Sequence, residues 1–395
     1  MKQIIQNKKP VVVYYTSTHF LDACLETIQS IKQIAKVHVM IEIGPESLQS
    51  NIVEVDTIHK MSLIETPEKI LKPAQWNKLM PYFEKTESIQ FVVYKSKRIL
   101  SLQTLKQSYQ LGFFLKKINP DVIHFDTISM RSIGLYPYLK NKKIMIALHD
   151  AIPHTGEDNW KEKIPGWLYY QQAKGYIFYS NFSKNTFQNQ FKKITAPLYN
   201  IQLQQYSYVK QFQSNKQTHS YILFFGRLSP YKGIDILLEA IPLVLEKYPE
   251  EQFVIAGKPV FNFDINRQNL IKYKKNIHLI NRHIQSNELI KLIGKSKFVV
   301  CPYREASQSG VLMTAFALQK SVVATKVGAF PEYIEENFNG WLATSNPVSV
   351  AEKIIEALQD QQYIQFNQNI NDSKELNIRK NNAEIIEKGY QYCLQ

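Results

Sequence analysis

A chain of 395 residues is longer than one ordinary hydrophobic core supports, and 44% hydrophobic against 21% charged residues is a globular balance that excludes a disordered chain. The longest apolar runs, 10–15 and 298–303, fall far short of the ~20 residues a membrane-crossing helix needs. A net charge of +14 implies an anionic partner, but the lack of an arginine-rich run, of a recognised basic and aromatic module and of zinc-ligand spacing sets nucleic acid aside in favour of a membrane surface or a phosphorylated substrate.

From the first residues onward, strand-like runs alternate with amphipathic helical stretches. In the first half the predicted strands are 11–15, 37–43, 91–94, 122–125, 144–148 and 176–179, with helices that include 20–35 and a basic stretch near 100–117. In the second half they are 221–225, 252–256, 277–280, 298–301 and 321–325. That alternation predicts an α/β protein of two doubly wound, Rossmann-like domains built on parallel sheets. The boundaries follow as 1–200, a linker at 201–219 that overlaps the Gln-, Tyr- and Ser-rich stretch 199–218, a second domain at 220–380, and a closing helix at 381–395 that packs back on the first domain. The polar residues 1–9 lack the character of a secretory signal, and Cys24, Cys301 and Cys393 are too widely spaced for a disulfide framework or a metal site. A cytoplasmic location is therefore expected, with peripheral contact to the inner face of the membrane as an addition.

The addition rests on the stretch 95–117. It carries Lys95, Lys97, Arg98, Lys106, Lys116 and Lys117 among leucines and phenylalanines. Such a helix either packs its apolar face on its own sheet and leaves the lysines in water, which is the commoner arrangement, or lies on an anionic bilayer.

The densest chemistry begins at the end of the strand 221–225. Gly226 permits a sharp turn, and Arg227 and Lys232 follow at Arg-x4-Lys spacing before a helix starts near 234. Both cations then sit at the carboxyl end of a strand, where open α/β sheets hold ligands. A guanidinium fork and a compact ammonium together suit the bridging and terminal oxygens of a diphosphate, whereas two solvated surface cations are the plain alternative. A second segment, 301–310, repeats the order of strand, small-residue turn and helix start. The amides of Ser309, Gly310, Val311 and Leu312 would face an anion there, with Ser309 also able to act as an ordinary helix cap. Glu305 lies just before that turn. Beside a phosphate-seeking pocket its carboxylate fits the hydroxyls of an attached polyol, or else it pairs with Arg304 at the surface.

In the first half, His149 and Asp150 close the strand 144–148 and lead into a polar loop containing His154, Gly156 and Glu157. A metal site from His149, Asp150 and His154 lacks a convincing fourth ligand, so packing or substrate contact is the better reading.

Taken in order, Gly226-Arg227-x4-Lys232-Gly233, then 253–257, 305–317, 322–325, 327–332 and Asn339-Gly340 resemble the carboxyl-terminal domain of the retaining glycosyltransferases of family 4, which have the GT-B fold of two Rossmann-like domains facing a cleft. The first half is similar through 119–124 and through Leu148-His149-Asp150. The resemblance implies a nucleoside-diphosphate sugar as donor, bound mainly by the second domain, and a glycan or lipid-linked acceptor on the first. It implies sugar contact by His149, catalytic parts for Arg227, Lys232 and Glu305, retention at the anomeric carbon, and a place in surface polysaccharide synthesis. No metal cofactor is expected, because the cations and the helix start would neutralise the leaving diphosphate and no Asp-x-Asp follows a strand. Base contacts are expected from Arg282 and His283, after the strand 277–280. The chain departs from the family pattern where a second glutamate usually follows Glu305 by eight residues; Met313 and Thr314 occupy that neighbourhood, leaving Gln308 or Thr314 to serve the donor ribose. The missing carboxylate keeps a catalytically silent relative, binding nucleotide or glycan without turnover, as the alternative.

Overall fold

The computed structural model describes residues 8–371 and 373–395, apart from 49, 51, 127, 151–168, 213–219 and 262–269. Runs of β-branched and aromatic residues buried on both faces form two sheets, as fits strands covered by helices on either side. The first sheet holds β1 (Val11–Ser17), β2 (Lys36–Ile43), β3 (Ile64–Glu65), β4 (Ser88–Val93), β5 (Val122–Phe125), β6 (Ile144–Leu148), β7 (Ala173–Phe178) and β8 (Leu198–Asn200). Their order is β3-β4-β2-β1-β5-β6-β7-β8, parallel throughout except that β3 runs antiparallel to β4. The second sheet, β11-β10-β9-β12-β13-β14, comprises β9 (Tyr221–Phe225), β10 (Phe253–Ala256), β11 (Ile277–Ile280), β12 (Ser296–Cys301), β13 (Val322–Thr325) and β14 (Gly340–Ala343), all parallel. The expectation of two doubly wound α/β sheets is met.

Three strands, β3, β8 and β14, are additions to the sequence reading, and each is too short or too mixed to stand out as an apolar run. β8 moves Tyr199 out of the presumed connection, since it pairs with Ile177 of β7. β14 is held by Trp341, buried against Phe366 with ring centroids 4.2 Å apart. The connecting segment beyond β8 is itself packed, with Ile201, Leu203, Tyr206 and Tyr208 buried in one apolar cluster that reaches both sheets.

The last helix spans Ser373–Leu394 and starts earlier than the apolar pattern indicates, because its first turns are polar. It lies on the first domain. Tyr390 Oη meets His124 Nδ1 at 2.7 Å, Lys143 Nζ donates to the Leu394 carbonyl at 2.5 Å, and Arg379 pairs with Glu26 at 3.3 Å.

Each sheet has one point where the strand order reverses and a crevice opens at the carboxyl ends. In the first it lies between β1 and β5, in the second between β9 and β12. The second crevice depends on Gly233, which ends the short turn Pro230–Lys232 at φ +65°, where a Cβ would stand 1.9 Å from the Pro302 carbonyl oxygen. Gly233→Ala is expected to destabilise the protein by roughly 2 kcal/mol or more, read as a lowered thermal midpoint, since both the left-handed backbone and the space exclude a side chain. An unchanged midpoint would contradict the tightness of this crossing.

Candidate functional site

Beyond β9 the chain turns at Gly226 with φ +113°, and a Cβ there would lie 3.1 Å from Lys232 Nζ and 3.2 Å from Val311 Cγ2. The Lys232 ammonium and the opening of the helix Gly310–Ala317 thus abut the same piece of main chain. Lys232 is buried, with its Nζ 5.1 Å from the Tyr303 ring centroid and 6.0 Å from that of Tyr231, an aromatic setting that screens its charge little. Arg227 is exposed and near enough to the first domain for its charge to act on His19. Burial holds the His19 imidazole below its ordinary value, the Arg227 charge adds to that, and Glu46 and Asp22 oppose it.

The turn before the helix is arranged somewhat differently from the expectation. Ser309 caps the helix by accepting from the Leu312 amide at 3.3 Å, so the Leu312 amide is taken and those of Gly310 and Val311 stand at the open end of the helix. Thr314 Oγ1 donates to the Gly310 carbonyl at 2.7 Å, and the Gln308 amide reaches the first domain. Each candidate for the absent glutamate thus makes one such contact in this structure. Glu305 is half-buried, and the Arg304 fork lies on Asp235 at 2.6 and 2.8 Å, not on Glu305. Arg282 and His283 are exposed at the end of β11, two strands from β9, with Arg282 forked onto Glu288 at 2.6 and 2.8 Å. Of the residues singled out from sequence, Gly226, Lys232, Ser309, Gly310 and Val311 come together at the β9 turn, while Arg282 and His283 lie two strands along the same sheet, at the end of β11.

Opposite this turn is a buried group centred on Asp126, at the reversal point of the first sheet. Its carboxylate accepts from Thr16 Oγ1 at 2.8 Å, from Tyr179 Oη at 2.8 Å and from His149 Nε2 at 3.2 Å. Burial pushes the carboxyl up, but the His149 charge and the three hydrogen bonds together outweigh it, and Asp126 is held at about 2. His149 is stacked between Phe20 and Tyr179, with centroids 4.3 and 4.6 Å away, and its Nδ1 lies 2.9 Å from Gln308 Nε2. Burial is the largest single influence and pushes the imidazole down, but the Asp126 charge and hydrogen bond, the Asp150 charge and the Gln308 contact together outweigh it, and the net shift is upward. A doubly protonated ring needs an acceptor at Nδ1. Turning the Gln308 amide end for end supplies Oε1 there, and that oxygen is otherwise buried with no partner.

His149 is thus enclosed on both faces and engaged at both nitrogens, so contact with a sugar requires the Gln308 bond to open. Sequence reading missed Asp126, Tyr179 and Phe20. Asp126 had one signal, a carboxylate directly after a predicted strand; the aromatic partners had none, since they read as core. Residues 151–168, which include His154, lie outside the described residues.

The two domains meet through the same turn. The Ser307 carbonyl accepts from Ser180 Oγ at 2.8 Å and Ser183 Oγ at 3.1 Å, and Ser307 Oγ donates to Asp150. Glu332, in the short helix Phe330–Tyr333, accepts from the Asn181 and Phe182 amides at 2.8 Å each, covering the start of the helix Asn181–Gln190 from the other domain.

The paired shifts set a pH window. Asp126 contributes stability that is complete above its unfolded value of 3.8 and is lost as pH falls toward 2; His149, raised in the folded state, contributes below 6.5 and loses that contribution as pH rises through its folded value. Asp126→Asn is expected to bring the His149 titration, followed by imidazole NMR signals, below 6.5 and to remove both slopes from the pH dependence of the thermal midpoint. A His149 titration unmoved by the substitution would refute the coupling.

Residues 219–360 match the family model described as Glycosyl transferases group 1, which covers the second sheet. An uncharacterized glycosyltransferase of Methanocaldococcus jannaschii is 27% identical over 294 residues, 68% of this chain and 77% of that protein. Among solved structures, a glycosyltransferase from Rickettsia africae aligns over 97% of this chain and 99% of its own at TM-score 0.61 and 16% identity. Anabaena HepE, solved in complex with UDP-glucose, aligns over 96% of this chain and 100% of its own at TM-score 0.62 and 14% identity. With that match over its second sheet and a fold shared from end to end with these enzymes, the chain is a glycosyltransferase of GT-B architecture.

Proposed function

We propose that this glycosyltransferase moves a sugar from a nucleoside-diphosphate donor to a glycan or lipid-linked acceptor, with retention and without a metal, in the synthesis of a surface polysaccharide at the cytoplasmic face of the membrane. The observation that carries the reading is the convergence of Lys232 Nζ and the start of the helix Gly310–Ala317 on Gly226. The sugar nucleotide in the HepE complex supports the same donor class.

In the proposed reaction the bond from the anomeric carbon to the diphosphate oxygen breaks and one to the acceptor oxygen forms. The acceptor proton passes to the departing phosphate. Negative charge grows on the diphosphate as the bond lengthens, and Lys232, Arg227 and the Gly310 and Val311 amides are the groups suited to meet it. Glu305 would accept from hydroxyls of the transferred sugar, and retention follows if the acceptor approaches from the face the diphosphate leaves. Two side-chain cations and a helix N-terminus supply the neutralisation otherwise asked of a divalent ion.

Lys232→Ala and Arg227→Ala are each expected to lower turnover on the order of a hundredfold or more with the fold retained. Release of nucleoside diphosphate from a panel of UDP-, GDP- and ADP-sugars, with and without EDTA, checks both points. Near-normal turnover in either variant would remove the diphosphate clamp, and loss of wild-type turnover in EDTA would remove metal independence.

A further inference from the structure

The helix Leu102–Ile118 is built inside out. Its buried side is Thr104, Gln107, Ser108, Leu111, Gly112 and Leu115, four of them polar or without a side chain, packed toward the turn Met130–Leu135. Its outer side exposes Leu102 at 87%, Tyr109 at 54% and Phe113 at 50%. At 100° per residue these three fall within about 40° of one another, and Lys106, Lys116 and Lys117 flank them on the same third of the helix surface. Tyr109 and Phe113 meet edge to face at 5.2 Å, and Lys116 Nζ lies 5.4 Å from the Phe113 centroid. Leucines packed on a sheet with lysines in water, the commoner arrangement for such a sequence, is not what the fold adopts for this face.

Two further observations bear on what covers it. Between Glu87 and Asp121 the chain carries six cations, Lys95, Lys97, Arg98, Lys106, Lys116 and Lys117, and no carboxylate. The segment that leads into the helix, with Ile99 and Leu100 exposed at 37% and 54%, leaves the carboxyl end of β4, on the sheet edge that also carries Asp126 and His149. Arg131 anchors it by donating to the Ser96 carbonyl at 2.7 Å.

We propose that the outer face of Leu102–Ile118, with residues 97–100, docks on an anionic lipid bilayer. Leu102, Tyr109 and Phe113 enter the interface, and the lysines meet lipid phosphates from a stretch of chain that has no acid of its own to repel them. The same contact brings the cleft edge of the first sheet toward the membrane. That last consequence rests on the lipid-linked acceptor proposed above, whereas the docking itself does not.

Flotation with phosphatidylcholine vesicles, with and without phosphatidylglycerol, tests the face, and donor turnover in solution is followed separately so that the two readings fail independently. The wild-type chain is expected to float with phosphatidylglycerol vesicles at low salt and not with phosphatidylcholine alone. The triple substitution L102S/Y109S/F113S should weaken binding about tenfold or more while leaving circular dichroism and donor turnover in solution unchanged. K106Q/K116Q/K117Q should abolish the preference for the anionic lipid. The proposal is overturned if the wild type fails to bind at low salt, or if the serine variant binds as the wild type does. It is equally overturned if sedimentation velocity without lipid reveals a dimer that the serine substitutions dissolve, which would make the face a self-association surface.

Discussion

A single buried carboxylate organises the cleft side of the first domain. Asp126 has no exposure, and an ion in that position is tolerated only when donors surround it. Thr16 comes from β1, His149 from the end of β6 and Tyr179 from just beyond β7, so one charge ties together the carboxyl ends of strands on both sides of the reversal point. The cost of burying that charge is offset by bonds that also fix the orientation of the His149 ring. Removal of any one donor would leave the carboxylate short of partners, and for that reason the group behaves as a unit.

From His149 the constraint passes to the second domain through Gln308, one residue beyond Ser307, whose carbonyl is held by two serines of the first domain. The turn at 305–310 therefore serves two surfaces. One side opens the helix beside Lys232, and the other is the seam between domains. Under the proposed donor chemistry, any ligand that shifts this turn changes the seam as well, and the Glu332 contact with the Asn181 and Phe182 amides adds a second point that closes or opens with it.

Charge is distributed to match this division. The buried Lys232 sits against aromatic rings, where a fixed ammonium is effective because little water screens it, while the exposed cations of 95–117 gather on a face whose apolar residues are also in water. Both sets contribute to the excess of +14, yet they differ in setting, and only one of them lies in the cleft.

Much of the architecture was legible in the order of residues, because strands buried on both faces must be continuous apolar runs and because Gly226, Arg227, Lys232 and the 301–310 turn are local in sequence. Period and turn chemistry are enough to find them. Short edge strands such as β8 lacked that signal, and so did the polar first turns of the helix Ser373–Leu394. What the tertiary structure alone decided was partnership over long separations. Asp126 with Thr16, Tyr179 and His149, Gln308 with His149, and Arg304 with Asp235 depend on which strand ends and turns the folded sheets bring side by side, and no spacing rule carries that. The same holds for the helix Leu102–Ile118. Its composition announces an amphipathic element, but whether leucines or small polar residues face the protein is set by the shape of the surface it packs on, here one that admits Gly112 and Ser108 and leaves Leu102, Tyr109 and Phe113 outside.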